Sequence, residues 1–282
     1  MGKKKKANNL RTIEMISGSR VPILKLKDNQ KNIEIDICVN RMLGELNSKM
    51  LRAYGSLDHR IPPVIFALKK WAKAKGINDA STGTLSSYSY VLMGIFYLQC
   101  LNPPVLPSLQ ALGKKNPEAC PHPHFCDTFD CRYFGDLDSP KVKDFGLMNE
   151  STVGGLVVGL FRFYSTFNFE KHTISIRAGR PIPKISAAKI SIEDPFELRD
   201  LGNVVHPGKV ARIIDEFKKA FELLRNQGSL QLLIGQWLPS SASQDKEEQA
   251  TYEEHLPMHT ALDMIKVGLS LPLPPSSPFS FI

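Results

Sequence analysis

The sequence predicts an α+β chain in which a small β-hairpin feeds a mostly helical body and a disordered C-terminal tail follows. Three observations carry this. Ile33, Ile35, Ile37 and Val39 alternate with Glu34, Asp36 and Cys38, the two-residue period of a strand. Between Arg41 and Gly228, separate runs place apolar residues at helical spacing, bounded by Pro and Gly. From about Pro239 the chain turns to Ser, Gln, Glu and Pro and ends "LPLPPSSPFSFI", which cannot build a core.

In chain order, the first residues read as the end of a helix. "RVPILKLK" and "NIEIDICVN" follow, joined by the turn-forming Asp28-Asn29-Gln30 as a hairpin. Met42, Leu46 and Met50 have helical spacing. "IPPVIFALKKWAKAKG" opens on prolines suited to a first helical turn and stops at a glycine suited to a C-cap. "TLSSYSYVLMGIFYLQCLNPP" is a buried helix with hydroxyls at its start and a Pro-Pro stop. Leu106 to Asn149 reads as loop, Ser151 to Phe167 as a helix, "HTISIR" as a short strand and "SIEDPFELRDLG" as a loop. Val210, Ile213, Ile214, Phe217, Phe221 and Leu224 mark one face of an amphipathic helix closed by Gly228.

A chain of 282 residues holds one large domain or two small ones. Its 36 basic and 28 acidic residues leave a net charge of +8, and the "KKKK" run at Lys3 to Lys6 supplies half of that excess. The remainder is compatible with a polyanion such as nucleic acid. Five cysteines, an odd number and two of them in apolar runs, point to free thiols in a reducing compartment, cytoplasmic or nuclear. The longest apolar run is too short for a bilayer, and the N-terminal lysines precede no hydrophobic signal segment, so neither membrane insertion nor secretion is expected.

Four features bear on chemistry. Asp36 puts a carboxylate in the middle of a strand, where a solvated or salt-bridged acid is the ordinary reading. Lys69 and Lys73 share a helix face, a like-charge pair that costs about 0.2–0.5 kcal/mol unless an anion such as a triphosphate neutralises it. Ser86, Ser87 and Tyr88 open the next helix. Hydroxyls there cap free amides, the same amides suit a phosphate, and the tyrosine offers a ring for a base. "EDPFE" sets Glu193, Asp194 and Glu197 around Pro195 and Phe196, acids placed to accept hydrogen bonds from base edges. "CPHPHFCDTFDC" is rich in Cys and His but lacks the spacing of a zinc site.

The order "RVPILKL", "EIDICVN", "LNSKMLRAY", "KKWAKAKGI", "TLSSYSYVLMGIFYLQ", "PPVLPSLQ" and "EDPFE" resembles the template-independent RNA nucleotidyltransferases, the noncanonical poly(A) polymerases and terminal uridylyltransferases with a PAP-associated domain. The resemblance runs from about Leu10 to Gly228 and includes "STVGGLVVGLFRFYSTFNFEKHTISIRAG" ahead of the "EDPFE" loop. It implies part of a nucleotidyltransferase palm over residues 1–45, packed on a helical central and PAP-associated domain over 46–238, with a low-complexity tail over 239–282. It implies addition of AMP or UMP from ATP or UTP to an RNA 3′ end without a template, using two Mg2+ or Mn2+ ions. In the family three aspartates hold those ions: two in an Asp-x-Asp pair after a Gly-Ser motif, and a third on a later strand. By the match Asp36 is the third. Asn47 and Ser48 match the ribose-contacting pair, Lys69 and Lys73 the triphosphate lysines, Ser87 the phosphate-contacting serine and Tyr88 the stacking tyrosine. Asp194 and Glu197 match acids of the base-recognition loop.

Two departures qualify what the resemblance implies. No Gly-Ser motif or Asp-x-Asp pair stands ahead of "RVPILKL", where only "MGKKKKANNLRTIEMISGS" is found, so this chain is expected to have little or no transferase activity alone. A module that binds nucleotide, RNA or protein without chemistry is the alternative. Family members that prefer UTP carry a histidine just after the acidic loop. Here Arg199 and Asp200 take that place and His206 lies farther on, which favours adenylyl transfer.

Overall fold

The computed structural model describes residues 10–17, 23–28, 30–31, 33–37, 42–227 and 233. The lysine run, Cys38, Gly228 and the predicted tail lie outside them. Contacts divide the chain into two units, Met1–Lys49 and Met50–Ile282.

The first unit is built on a three-stranded antiparallel sheet in the order β1 (Leu10–Ile16), β2 (Ile23–Asp28), β3 (Ile33–Ile37). The predicted hairpin forms with Leu24 opposite Ile37 and Leu26 opposite Ile35. Its turn is held by Asp28, whose Oδ1 accepts from the backbone N–H of Gln30 at 2.9 Å and of Lys31 at 3.2 Å. β1 corrects the helix-end reading of the first residues. It pairs with β2 through a register shift between Thr12 and Glu14, and that irregularity breaks the alternation by which a strand is recognised. Helix α1 (Met42–Ser56) begins here, with an i,i+4 pair between Glu45 and Lys49 at 2.7 Å.

The second unit is largely helical: α2 (Ile61–Ala74), α3 (Ser87–Gln99), α4 (Leu109–Lys115), α5 (Val153–Thr166) and α6 (Pro207–Gln227). Its centre is aromatic. Trp71 of α2 meets Phe161 of α5 edge-on at 4.9 Å and Phe217 of α6 at 4.7 Å, and Tyr164 lies 5.2 Å from Phe217. Apolar burial here is joined by satisfied polar groups. The Tyr54 hydroxyl donates to Gln110 Oε1 at 2.7 Å and accepts from the Leu109 N–H at 3.0 Å, while Gln99 Nε2 donates to the carbonyls of Pro107 and Ile176. Buried Arg60 grips Asp58 and donates to the carbonyls of Gly146, Asn149 and Ser151, fixing the approach to α5. Such a guanidinium is stable inside only because every face finds an acceptor.

Two stretches read as loop contain regular structure. Residues 106–149 hold α4, started by Ser108, whose Oγ accepts from the Ala111 N–H, and a hairpin of β4 (Phe125–Cys126) with β5 (Phe129–Asp130). Ser191–Ile192 is strand β8, which runs parallel to β6 (His172–Ile174), while β7 (Ile182–Pro183) pairs antiparallel on the other side. Both pieces are too short for a period to register. Thr173 and Ser191 meet side chain to side chain at 2.7 Å inside this sheet, which α3 contacts at both β6 and β8.

Candidate nucleotide site

Helix α2 sorts its side chains by face. Pro62 and Pro63 sit in the first turn, where their missing N–H groups are no loss. Ile61, Val64, Ala67, Leu68, Trp71 and Ala72 are buried, which leaves Lys69 half-buried and Lys73 exposed on the other side. Among the described residues neither lysine has a carboxylate within ion-pairing distance. Their neighbours do find company: Lys75 lies 3.9 Å from Glu216, and Lys70 lies over the Phe66 ring at 5.3 Å.

The helix ends at Gly76, whose φ of 62° a side chain would resist, and the Ile77 N–H turns back to the Ala72 carbonyl at 3.0 Å. This delivers Asn78 to the start of α3. There Ser86 is the cap, accepting from the Ser89 N–H at 3.1 Å, so that Ser87 stands one place inside the helix and its hydroxyl reaches Asn78 Oδ1 at 3.1 Å. Sequence reasoning did not single out Asn78. Its position just past a glycine C-cap was the available signal. The intervening loop is pinned by Asp79, which accepts from the Ser81 N–H, and by the His206 N–H, which donates to the Gly83 carbonyl at 3.0 Å.

Tyr88 is half-buried, one residue further into α3. Burial pushes its phenol upward, the Asp194 and Glu197 carboxylates add to the rise, and the Arg199 guanidinium opposes it. That set of neighbours brings the tyrosine and the "EDPFE" loop to one place.

The loop is held from within. Glu193 is buried and engaged by Ser175 and by Arg177, whose Nε lies 3.2 Å from Oε2. Asp194 is only 2% exposed, and its Oδ1 accepts from the N–H groups of Phe196 at 3.0 Å and Glu197 at 2.9 Å. Burial pushes its carboxyl above the usual range, with those two amides pulling the other way. The chain then closes on itself: the Leu198 N–H reaches the Asp194 carbonyl, the Asp194 N–H reaches the Arg199 carbonyl, and Leu198 takes a φ of 58°. Glu197 accepts from Arg199 Nε. Asp200, buried just behind, gathers four donors, the hydroxyls of Ser186 and Ser191 and the N–H groups of Ile192 and Gly202.

The remaining expected residues belong to the first unit. Asp36 lies in β3 opposite Lys25, Asn47 is half-buried in α1, and exposed Ser48 donates its hydroxyl to the Gly44 carbonyl at 2.9 Å. In the Cys- and His-rich stretch, the Cys131 N–H donates to the His124 carbonyl at 2.8 Å, and the rings of His122 and His124 stack at 4.1 Å. Among the described residues no group of three or more His, Cys, Asp or Glu side chains is arranged to hold a metal.

Residues 1–56 match a family model described as the central palm domain of mitochondrial-like poly(A) RNA polymerase, and residues 152–199 match that of the Cid1 family poly A polymerases. Human poly(A) RNA polymerase GLD2 is 34% identical over 223 residues, which are 77% of this chain and 44% of its own. Poly(A) RNA polymerase cid13 of Schizosaccharomyces pombe is 35% identical over 227 residues, 77% of this chain and 38% of its own. The chain thus spans less than half the length of these curated relatives. The Cid1 poly(U) polymerase crystal structure superposes with a TM-score of 0.69 at 30% identity, covering 81% of this chain and 73% of that one. Mitochondrial poly(A) polymerase bound to ATPγS gives a TM-score of 0.70 at 23% identity, covering 81% and 48%, a likeness of fold.

Proposed function

From its membership of the Cid1 family of poly(A) polymerases, to which the chain belongs, we propose that it provides the nucleotide-binding part of an RNA 3′-terminal nucleotidyltransferase. The substrates are ATP or UTP and an RNA 3′ end, and no template is needed. The observation that carries this reading is the pair Lys69 and Lys73: two ammonium groups one helical turn apart, with no counter-charge among the described residues. A triphosphate relieves that repulsion. Ser87, oriented through Asn78, contacts phosphate, and Tyr88 stacks on the base. Glu197 works at the base edge, on a loop that Asp194 shapes. Of the relatives, Cid1 was crystallised with its short product ApU, in keeping with an RNA end as acceptor. The thiols of Cys100, Cys120 and Cys131 suit a reducing compartment, cytoplasm or nucleus, and no described helix is long and apolar enough to cross a membrane.

A pair of Mg2+ or Mn2+ ions would align the 3′-hydroxyl and neutralise charge on departing pyrophosphate in a complete family member. The donor set here does not fit two ions. Asp36 is the one carboxylate of this sequence assigned to them, and the described residues hold no three-ligand cluster. With that one carboxylate the 282-residue chain is expected to bind nucleotide without extending RNA, and a nucleotide- or RNA-binding module of the same fold is the second reading. Equilibrium binding of ATP and UTP, beside a primer-extension assay, tests both. Lys69→Ala and Tyr88→Ala should each weaken binding about tenfold, the loss of one charge-assisted or stacking contact, with the thermal transition unchanged. Unaltered affinity in both variants means that the site is misassigned, and RNA extension by this chain overturns the expected inactivity.

A further inference from the structure

The segment from Lys75 to Gly83 follows α2 and carries Asn78, the residue that orients Ser87. One set of contacts holds it locally. The Tyr90 hydroxyl of α3 donates to the Ile77 carbonyl at 2.9 Å, and Asp79 and Thr84 exchange two hydrogen bonds of 2.8 Å. A second set comes from far along the chain, at the start of α6. Arg212 Nη2 donates to the Lys75 carbonyl at 2.7 Å, Lys209 Nζ donates to the Thr82 carbonyl, and the His206 N–H donates to the Gly83 carbonyl at 3.0 Å. Arg212 and Lys209 are three residues apart and so share one face of α6. Their acceptors lie on either side of Asn78 in the chain. Lys75 is the C-cap of α2, where carbonyls lack donors from within the helix and a cation is favoured. Arg212 meets both needs, and the ammonium of Lys75 itself lies 3.9 Å from Glu216, one turn further along α6. Arg212 is exposed and Lys209 half-buried, so neither belongs to the core.

We propose that Arg212 is a positioning residue of the nucleotide site: with Lys209 it clamps the 75–83 segment on both sides of Asn78 and thereby keeps the Ser87 hydroxyl in place for phosphate. Both side chains touch carbonyls, and their effect on nucleotide passes through Asn78. A segment held before the ligand arrives spares binding the cost of ordering it. Helix α6 thus acts on the affinity for the triphosphate, whichever base it carries. The inference rests on the reading of Ser87 as a phosphate contact.

A double-mutant cycle tests it, with ATP titrated by calorimetry into the full 282-residue chain and its variants. Arg212→Ala and Asn78→Ala should each weaken ATP about fivefold, the worth of one hydrogen bond. The double variant should be no weaker than Asn78→Ala alone, because the two residues act in series. Arg212→Lys, which keeps a donor and the charge, should retain most of the affinity. Since Arg212 is exposed, its variants should melt close to wild type, which separates positioning from a loss of fold. Wild-type affinity in Arg212→Ala overturns the inference. So does a loss that Arg212→Lys fails to recover, or one that multiplies with that of Asn78→Ala, since Arg212 would then act by its charge alone. Each of these leaves the site standing. Binding indifferent to both Lys69→Ala and Tyr88→Ala overturns the site and this inference with it.

Discussion

Two aspartates, both pushed up by burial, end with opposite pKa directions because only one is hydrogen-bonded to an arginine, and each direction acts on stability. Asp194 is pushed up by burial, and its two loop amides do not compensate. A raised carboxyl binds its proton more tightly folded than unfolded. Its contribution is therefore fully present below the unfolded value of about 3.9 and is lost as pH climbs through the folded one. Asp194→Asn keeps an Oδ1 acceptor for Phe196 and Glu197 without the charge, so at pH 7 it should be at least as stable as wild type in urea. Asp194→Ala strands both amides and should cost about 1–3 kcal/mol. Asp58 runs the other way: burial raises it, and the hydrogen bonds and charge of Arg60 outweigh burial. Its contribution is present above about 3.9 and disappears as pH falls through its lowered folded value. Arg60→Ala leaves three carbonyls without a donor and the carboxylate with only the backbone N–H of residue 60, at 2.9 Å. A loss of about 3–5 kcal/mol is expected, and the variant's stability should fall less with acid at Asp58.

Among the elements, those with long amphipathic or capped patterns were legible from the sequence. Helix α2 lies where its prolines and Gly76 place it, α3 starts one residue after the Ser86 cap, and α6 follows the Ile213 and Phe217 stripe. Elements whose reason for existing lies elsewhere in the chain were not. β1 is a strand because β2 pairs with it, across a register shift that hides the alternation. β8 is two residues long and is a strand because β6 lies beside it. α4 depends on its Ser108 cap and on contacts of Leu109 with distant Tyr54. Close approach in this part of the fold is demanding at Gly202, where an added Cβ would stand 1.6 Å from the Ile190 carbonyl oxygen. Gly202→Ala should therefore displace the backbone behind the "EDPFE" loop, cost about 1–3 kcal/mol or more, and lower the melting temperature measured by circular dichroism, with Gly55→Ala, which meets open space, as the neutral control.

For the molecule as a whole, charge and site were read at different depths. The net charge of +8 and the lysines of α2 were plain in the sequence. That Lys69 and Lys73 lack counter-ions among the described residues, while Lys75, Arg60 and Arg177 have them, needed coordinates. So did the sorting of the acids: sequence reasoning put Glu193, Asp194 and Glu197 at base edges together, whereas Glu193 answers to Arg177 and Asp194 to its own turn. Asn78 emerged only from its neighbour. Because the two α2 lysines are at least partly open to solvent, nucleotide affinity should decline as NaCl rises from about 0.05 to 0.5 M, where the screening length shrinks from roughly 14 to 4 Å. A Lys73→Ala chain should show a shallower decline in the same titration. The Asp194 and Asp200 hydrogen bonds have one more consequence. They make the frame of the turn from atoms that face inward, so the side chains of Glu197 and Arg199 can be exchanged without recasting what holds them.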